Sequence, residues 1–173
     1  MHQLLQKLTG GDRRSIGNVE DVIRDVKAKP ALFEILLDGL AVDDPLVRMR
    51  SADAIEKISA HQPELLQPFK KLIIRLAGQA CQQEVRWHMA QIIPRLALTT
   101  RQKSRVVDIL FDYLDDDSKI VITFSLQALS DLAIGDEKLQ PRVVTVLKEF
   151  TASGSPAIKS RGRKLLEKLT THR

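Results

Sequence analysis

A chain of 173 residues that is 43% hydrophobic and 28% charged has the composition of a soluble globular domain or a short repeat array, not of a disordered chain or a low-complexity linker. Its single cysteine, Cys81, excludes an internal disulfide, and the residues after Met1 hold no apolar run of the length a signal peptide or membrane span needs, so the expected location is the cytoplasm. The formal charge of +5 is not spread evenly: Ser155–Arg173 holds six basic residues against one acid, Glu167, and the preceding 154 residues balance.

Aromatic residues make up only 4% of the chain, and Leu, Ile, Val and Ala supply most of the apolar set, which favours packed helices over sheets. In chain order, Leu4, Leu5 and Leu8 come first, then a Gly10-Gly11 break. A helix is expected from Asn18, with Asn18 as its cap, Asp21 in its first turn and Val19, Val22, Ile23 and Val26 on one stripe, ended by Pro30.

From Pro30 onward the pattern repeats. Phe33, Leu36, Leu37 and Leu40 are matched by Phe69, Leu72, Ile73 and Leu76, then by Val107, Leu110, Phe111 and Leu114, then by Val143, Val146, Leu147 and Phe150. Each set has the spacing i, i+3, i+4, i+7 of one helix face. A second series superposes as well: Val47, Ile55, Ile58; Val85, Ile93, Leu96; Val121, Leu129, Leu132; Ile158, Leu166, Leu169. Starts of the second helices are marked by Asp44-Pro45, by Glu84 after Gln82-Gln83, by Ser118 and by Ser155-Pro156.

The reading is an all-α solenoid of about four helix pairs over residues 30–60, 63–98, 100–134 and 138–170, with residues 1–29 as an N-terminal helical cap, all in one repeat domain. Arg163 and Lys159 stand where earlier pairs carry Ala52, Ala90 and Leu126 or Arg48, Arg86 and Ile122. That charged flank is expected to be a polar cap at the end of the array.

Asp44-Pro45-Leu46-Val47-Arg48 and the partial copies Glu84-Val85-Arg86 and Pro156-Ala157-Ile158-Lys159 resemble the HEAT-repeat family over residues 30–170. The third pair departs, since Lys119-Ile120-Val121-Ile122 lacks the arginine. The resemblance implies a right-handed α-α superhelix whose second helices line a concave binding surface.

Candidate chemistry is sparse. Histidines 2, 61, 88 and 172 share no face at metal-ligand spacing. Asp108, Asp112, Asp115, Asp116 and Asp117 lack the glycine and terminal glutamate of a calcium loop and fall in an inter-helix turn, where capping explains them. Cys81 has no histidine placed to activate it, and the glycines form no phosphate loop. No catalytic residue, metal or cofactor is therefore expected.

The outward face of the second helices is the remaining candidate. At about 100° per residue, its centre carries Met49, Asp53, Glu56, Trp87, Gln91, Pro94, Thr123, Gln127, Ser130, Ser160, Lys164 and Glu167, with Arg50, His88, Phe124 and Arg161 alongside, and then Lys57, Arg95, Asp131 and Lys168. Trp87, the only tryptophan, is expected opposite the buried stripe, and Pro94 is expected to kink its helix.

The functional expectation is a non-enzymatic scaffold that binds a protein partner through Trp87, Met49, Arg50, His88, Gln91, Phe124 and Gln127. The alternative is nucleic-acid binding through the basic C-terminal helix, with Arg161, Lys164 and Lys168 as anion contacts, by resemblance to HEAT-like DNA glycosylases. No membrane partner is expected, and the sequence leaves the oligomeric state open.

Overall fold

A computed structural model describes residues 1–12, 15 and 17–171. His172 and Arg173, named above among the histidines and C-terminal cations, lie outside them. The described residues form ten α-helices and no strand. They are α1 (Gln3–Gln6), α2 (Val19–Ala28), α3 (Leu32–Asp38), α4 (Pro45–His61), α5 (Lys70–Gln79), α6 (Gln83–Ile92), α7 (Thr100–Asp112), α8 (Lys119–Ala133), α9 (Gln140–Ser153) and α10 (Pro156–Thr171). The chain divides into two compact units, Met1–Thr99 and Thr100–Arg173. The first holds the N-terminal cap and the pairs α3/α4 and α5/α6; the second holds α7/α8 and α9/α10.

Side-chain caps mark the starts of α4, α8 and α10. Asp44 is extended and its Oδ1 accepts from the amides of Leu46 at 2.8 Å and Val47 at 3.4 Å, with Pro45 at the first helical position. Ser118 Oγ accepts from Val121 N, and Ser155 Oγ from Ile158 N. Asp116 accepts from the Ser118 amide through Oδ1 at 2.8 Å, but Asp108 and Asp112 lie within α7 and Asp115 in the 3-10 turn after it, so capping accounts for only part of that acidic cluster. Asn18 stands at the cap of α2 but makes no side-chain bond there, contrary to expectation.

Within the first unit, the stripe of Val47, Ile55 and Ile58 on α4 is wholly buried, as are Phe33, Leu36 and Leu37 on α3. The second pair differs in phase. Residues 63–69 form a 3-10 turn that leads into α5, and its three residues per turn, instead of 3.6, rotate the face that α5 presents to the core. Ile73, Ile74 and Ala77 become the buried set, while Phe69, Leu72 and Leu76 are half-buried. Pro94 ends α6 instead of kinking it: the α-helix stops at Ile92 and a 3-10 turn covers Ile93–Arg95. Proline lacks the amide that a continuing helix would bond.

In the second unit, Val107, Leu110, Val121, Leu129, Val143, Leu147, Ile158 and Leu169 are buried. Gly162 of α10 lies where a Cβ would come within 2.2 Å of Thr151 Oγ1 on α9. That close approach is open only to glycine.

The largest departure is Arg50. Its sequence position predicts the outward face, yet it is 1% exposed and is the bulkiest of the fully buried side chains. Nη1 donates to the carbonyls of Leu8 and Gly10, both at 2.7 Å. Nη2 donates to those of Asp12 and Ser15, both at 3.0 Å, and Nε donates to Ser15 O at 3.1 Å. Five donors meet five acceptor contacts, so the guanidinium is satisfied without a carboxylate. Gly17, with φ +56°, leaves room for it, since a Cβ there would stand 3.0 Å from Arg50 Cζ.

This packing makes two stability predictions. Arg50→Met removes all five bonds donated to the Leu8, Gly10, Asp12 and Ser15 carbonyls, and should cost about 2–4 kcal/mol by urea unfolding, with faster amide exchange concentrated in the segment before α2; a loss below about 1 kcal/mol would contradict this anchoring role. Leu110→Ala, at a wholly buried position, should cost about 2–5 kcal/mol through the cavity it leaves, and a surface-sized loss would show the register to be wrong.

Candidate functional site

The second helices of each unit carry the sequence-predicted surface, and the structure sorts its residues into two kinds. One kind reaches back along the array to the preceding second helix. Lys57 of α4 pairs with Glu20 of α2 at 3.4 Å and with Asp53 on its own helix at 3.0 Å. Arg95, just past α6, pairs with the Glu56 carboxylate of α4 and donates to Glu56 O at 2.6 Å and to Ser59 Oγ at 2.8 Å. In the second unit, Lys168 of α10 pairs with Asp131 of α8 at 2.9 Å, and Arg161 donates to Gln127 Oε1 at 3.0 Å. Gln127 in turn donates to both Asp131 oxygens, at 3.0 and 3.1 Å.

These are the columns 50/88/124/161 and 57/95/131/168 of the repeat. Arg50 is spent on the N-terminal loop, and Lys57, Arg95, Arg161 and Lys168 stitch one second helix to the one before. The more exposed pairs of Lys57 and Lys168 are each worth a fraction of a kcal/mol, whereas the Arg95–Glu56 pair is more enclosed, with side chains 24% and 17% exposed. Among the three candidate anion contacts, Arg161 and Lys168 are therefore engaged within the protein. Lys164 is exposed and makes no side-chain bond among the described residues.

The motif arginines also have structural tasks. Arg48 Nη1 donates to the carbonyls of Val42 and Asp43, both at 2.8 Å, and its Nε donates to Gln82 Oε1 at 3.0 Å. Gln82 Nε2 returns a bond to Pro45 O. Arg86 Nε donates to Ala80 O at 2.7 Å. Each arginine thus satisfies carbonyls of the turn before its own helix, and Gln82 links two successive turns.

The second kind stays on the outward face. In the first unit these are Met49 of α4 and Trp87 and Gln91 of α6, all half-buried. Gln91 Nε2 donates to Trp87 O at 3.2 Å. The Trp87 ring is tilted 59° to that of His88, with centroids 5.7 Å apart. Trp87 is absent from the buried set of α6, which is Glu84, Val85, Met89, Ala90 and Ile92. In the second unit Phe124 of α8 is likewise half-buried.

His88 sits between these kinds. Its Nδ1 is buried with no hydrogen-bond partner. Burial pushes its pKa below 6.5, against the upward pull of Asp53 and Glu56 on α4 and of Glu84 on its own helix, while Lys57 adds to the lowering. Lys57 is moved the other way: burial lowers it, but its bonds to Asp53 and Glu20 prevail and its pKa is raised.

Comparison with known proteins supports the fold. No protein-family model and no curated protein matches the chain. Among solved structures, an engineered protein from a structural-genomics programme is 18% identical, with a TM-score of 0.64 over 98% of this chain and 78% of that one. A computationally designed armadillo repeat protein for modular peptide recognition is 17% identical, with a TM-score of 0.58 over 98% of this chain and 87% of that one. The fold is therefore an all-helical α-solenoid repeat. No helix among the described residues is long and apolar enough to cross a membrane.

The state of His88 gives a pH prediction. Its folded pKa lies below the unfolded value, so the unfolded chain takes up the proton first as pH falls, and the stability present above about 6.5 is lost through the window below it. The melting temperature should fall between about pH 7.5 and pH 5.5, and His88→Gln should flatten that dependence. An unchanged pH profile in His88→Gln would assign the dependence to other groups.

Proposed function

We propose that this chain is a non-catalytic, HEAT-like scaffold of the cytoplasm that binds a segment of a partner protein on the outward face of its second helices, the concave face in a HEAT-like superhelix. The observation that carries this reading is Trp87. A tryptophan left half-exposed on α6, outside that helix's buried set, offers a large rigid apolar surface at low entropic cost, the usual chemistry of a binding hot spot.

Met49 of α4 and Gln91 of α6 supply adaptable apolar and amide contacts in the same unit, with His88 tilted against the indole. Phe124 and Gln127 of α8 are the corresponding contacts in the second unit. The likeness to a designed armadillo protein described as made for modular peptide recognition supports a peptide-like segment as the ligand. The seam contacts of Arg95, Arg161 and Lys168 support the reading from the other side, because they hold the second helices in register and leave the residues between them to face a ligand. They also reduce the anion contacts open to a nucleic acid.

The test is selection of peptides from a displayed random library against the full chain, with the winners then titrated using intrinsic tryptophan emission as readout. Trp87→Ala should leave the melting temperature within a few degrees and weaken the selected peptides by about tenfold or more. Peptides that bind the wild type and Trp87→Ala equally would place the site elsewhere.

A further inference from the structure

The first helices of the second unit, α7 and α9, border a groove of about 260 Å³ toward their N-terminal ends. Its floor is Val107 of α7 and Leu139 just before α9, both buried. Three cations and one acid line it: Lys103 of α7, Lys138 before α9, Arg142 of α9, and Asp136 in the turn between α8 and α9. Thr100 and Ser104 add two hydroxyls from the start of α7.

These charges do not cancel. Asp136 Oδ2 pairs with Lys103 at 2.6 Å, and its Oδ1 accepts from the amides of Lys138 at 3.2 Å and Leu139 at 3.0 Å. The Lys103 ammonium and the Leu139 amide hold the Asp136 carboxyl below the usual carboxylate range, so the acid stays ionised and Lys103 stays compensated. Lys138 makes no side-chain bond or ion pair among the described residues. Arg142 lies over the Phe111 ring at 4.8 Å and has no carboxylate partner among them. Both are exposed, and Glu137, though adjacent in the chain, does not line the groove. Two positive charges are left over.

This lining is a property of one pair, not of the repeat. One repeat earlier, the positions matching Lys138 and Arg142 carry Gln102 and Val106, and two repeats earlier Glu64 and Pro68. The Thr100 and Ser104 hydroxyls also have no partner among the described residues. The groove thus gathers two unspent cations and two unspent hydroxyls around a small volume.

A complementary ligand brings about two negative charges and several acceptor oxygens in little bulk. A phosphate monoester carries about −1.5 to −2 near neutral pH and three such oxygens. Arg142 offers the planar fork that suits two of them, and Lys138 and the hydroxyls offer rotatable donors. A carboxylate brings half the charge. A phosphodiester strand needs cations in a row along its length, whereas these converge on one place.

We propose that this groove is a subsite for a phosphate monoester carried on a side chain of a partner protein. No aromatic residue lines it to stack a base or a sugar ring, and the floor of Val107 and Leu139 suits the short carbon stem of a phosphorylated side chain. The groove belongs wholly to the second unit and does not depend on the reading of Trp87.

The experiment titrates the full chain with N-acetyl-phosphoserine methylamide and with the unphosphorylated compound, following the methyl resonances of Val107 and Leu139. The phosphorylated probe should give saturable shifts, inorganic phosphate should compete with it, and the unphosphorylated probe should give none. Lys138→Gln with Arg142→Gln should weaken the phosphorylated probe by about tenfold or more. Lys138→Gln alone, at an exposed position, should weaken it by a smaller factor with the melting temperature preserved, which keeps the test valid if loss of the Arg142–Phe111 contact unfolds the double variant. Lys148→Gln, on α9 but outside the groove, should change nothing.

Shifts that fail to saturate below about 20 mM, or an equal loss in Lys148→Gln, would overturn the proposal. Tighter binding of a single-stranded oligonucleotide at equal phosphate concentration would overturn it in favour of nucleic acid. Capture by vesicles containing phosphatidic acid, with no response to the soluble probe, would overturn it in favour of a membrane.

Discussion

A helix pair has two apolar faces and can cover only one of them by itself, so each pair in this chain must be covered by a neighbour. That constraint accounts for the composition of α4, where Ala52, Ala54 and Ser51 are wholly buried beside Val47, Ile55 and Ile58. Ser51 lies against Gly39 at the end of α3, where a Cβ would come within 2.2 Å of its Oγ. Gly162 on α10 answers the same demand, because Thr151 of α9 occupies the space a Cβ would need. Packing, not intrinsic helix propensity, holds such short helices together.

Periodicity carries this kind of information well, and the pair boundaries, the caps at Asp44 and Ser118 and most buried stripes are legible for that reason. What periodicity cannot carry is which direction along the array a side chain on the edge of a stripe will take. A helical wheel places Arg50, His88 and Arg161 beside the outward centre, but the neighbouring pair stands on that side. Arg50 is buried and Arg161 bonds to Gln127. The ion pair of Arg95 with Glu56 joins residues one repeat apart, and its only sequence trace is that Lys57, Arg95 and Lys168 occupy equivalent positions. The 3-10 turn over Pro63–Phe69 escapes a sequence reading for a different reason: its apolar residues fit the helical template, and only the change from 3.6 to 3 residues per turn moves the buried set.

The candidate surface gains definition from these corrections. With Arg50, Lys57, Arg95, Arg161 and Lys168 assigned to structure, the half-buried residues of the candidate surface without such a task are mostly apolar or amide-bearing: Met49, Trp87 and Gln91 in one unit, Phe124 in the other. Charge that holds second helices in register is compensated within the protein and contributes little long-range attraction. On the proposed reading, such a face would discriminate ligands by shape and apolar contact more than by electrostatic steering.

The two terminal pairs meet the covering constraint by opposite means. Toward the N-terminus, α4 packs on α2, and Arg50 supplies five donors to the carbonyls of Leu8, Gly10, Asp12 and Ser15, which no helix satisfies internally. Enclosing a cation is costly, but carbonyl dipoles converging from four residues offset that cost without a counter-ion to be desolvated. Toward the C-terminus, Lys159 and Arg163 stand in place of small or apolar residues, and they are hydrated instead of enclosed. Val144, Pro141 and Leu166 line a groove between α9 and α10. The same covering constraint thus encloses one arginine among carbonyls on α4 and leaves Arg163 of α10 to water.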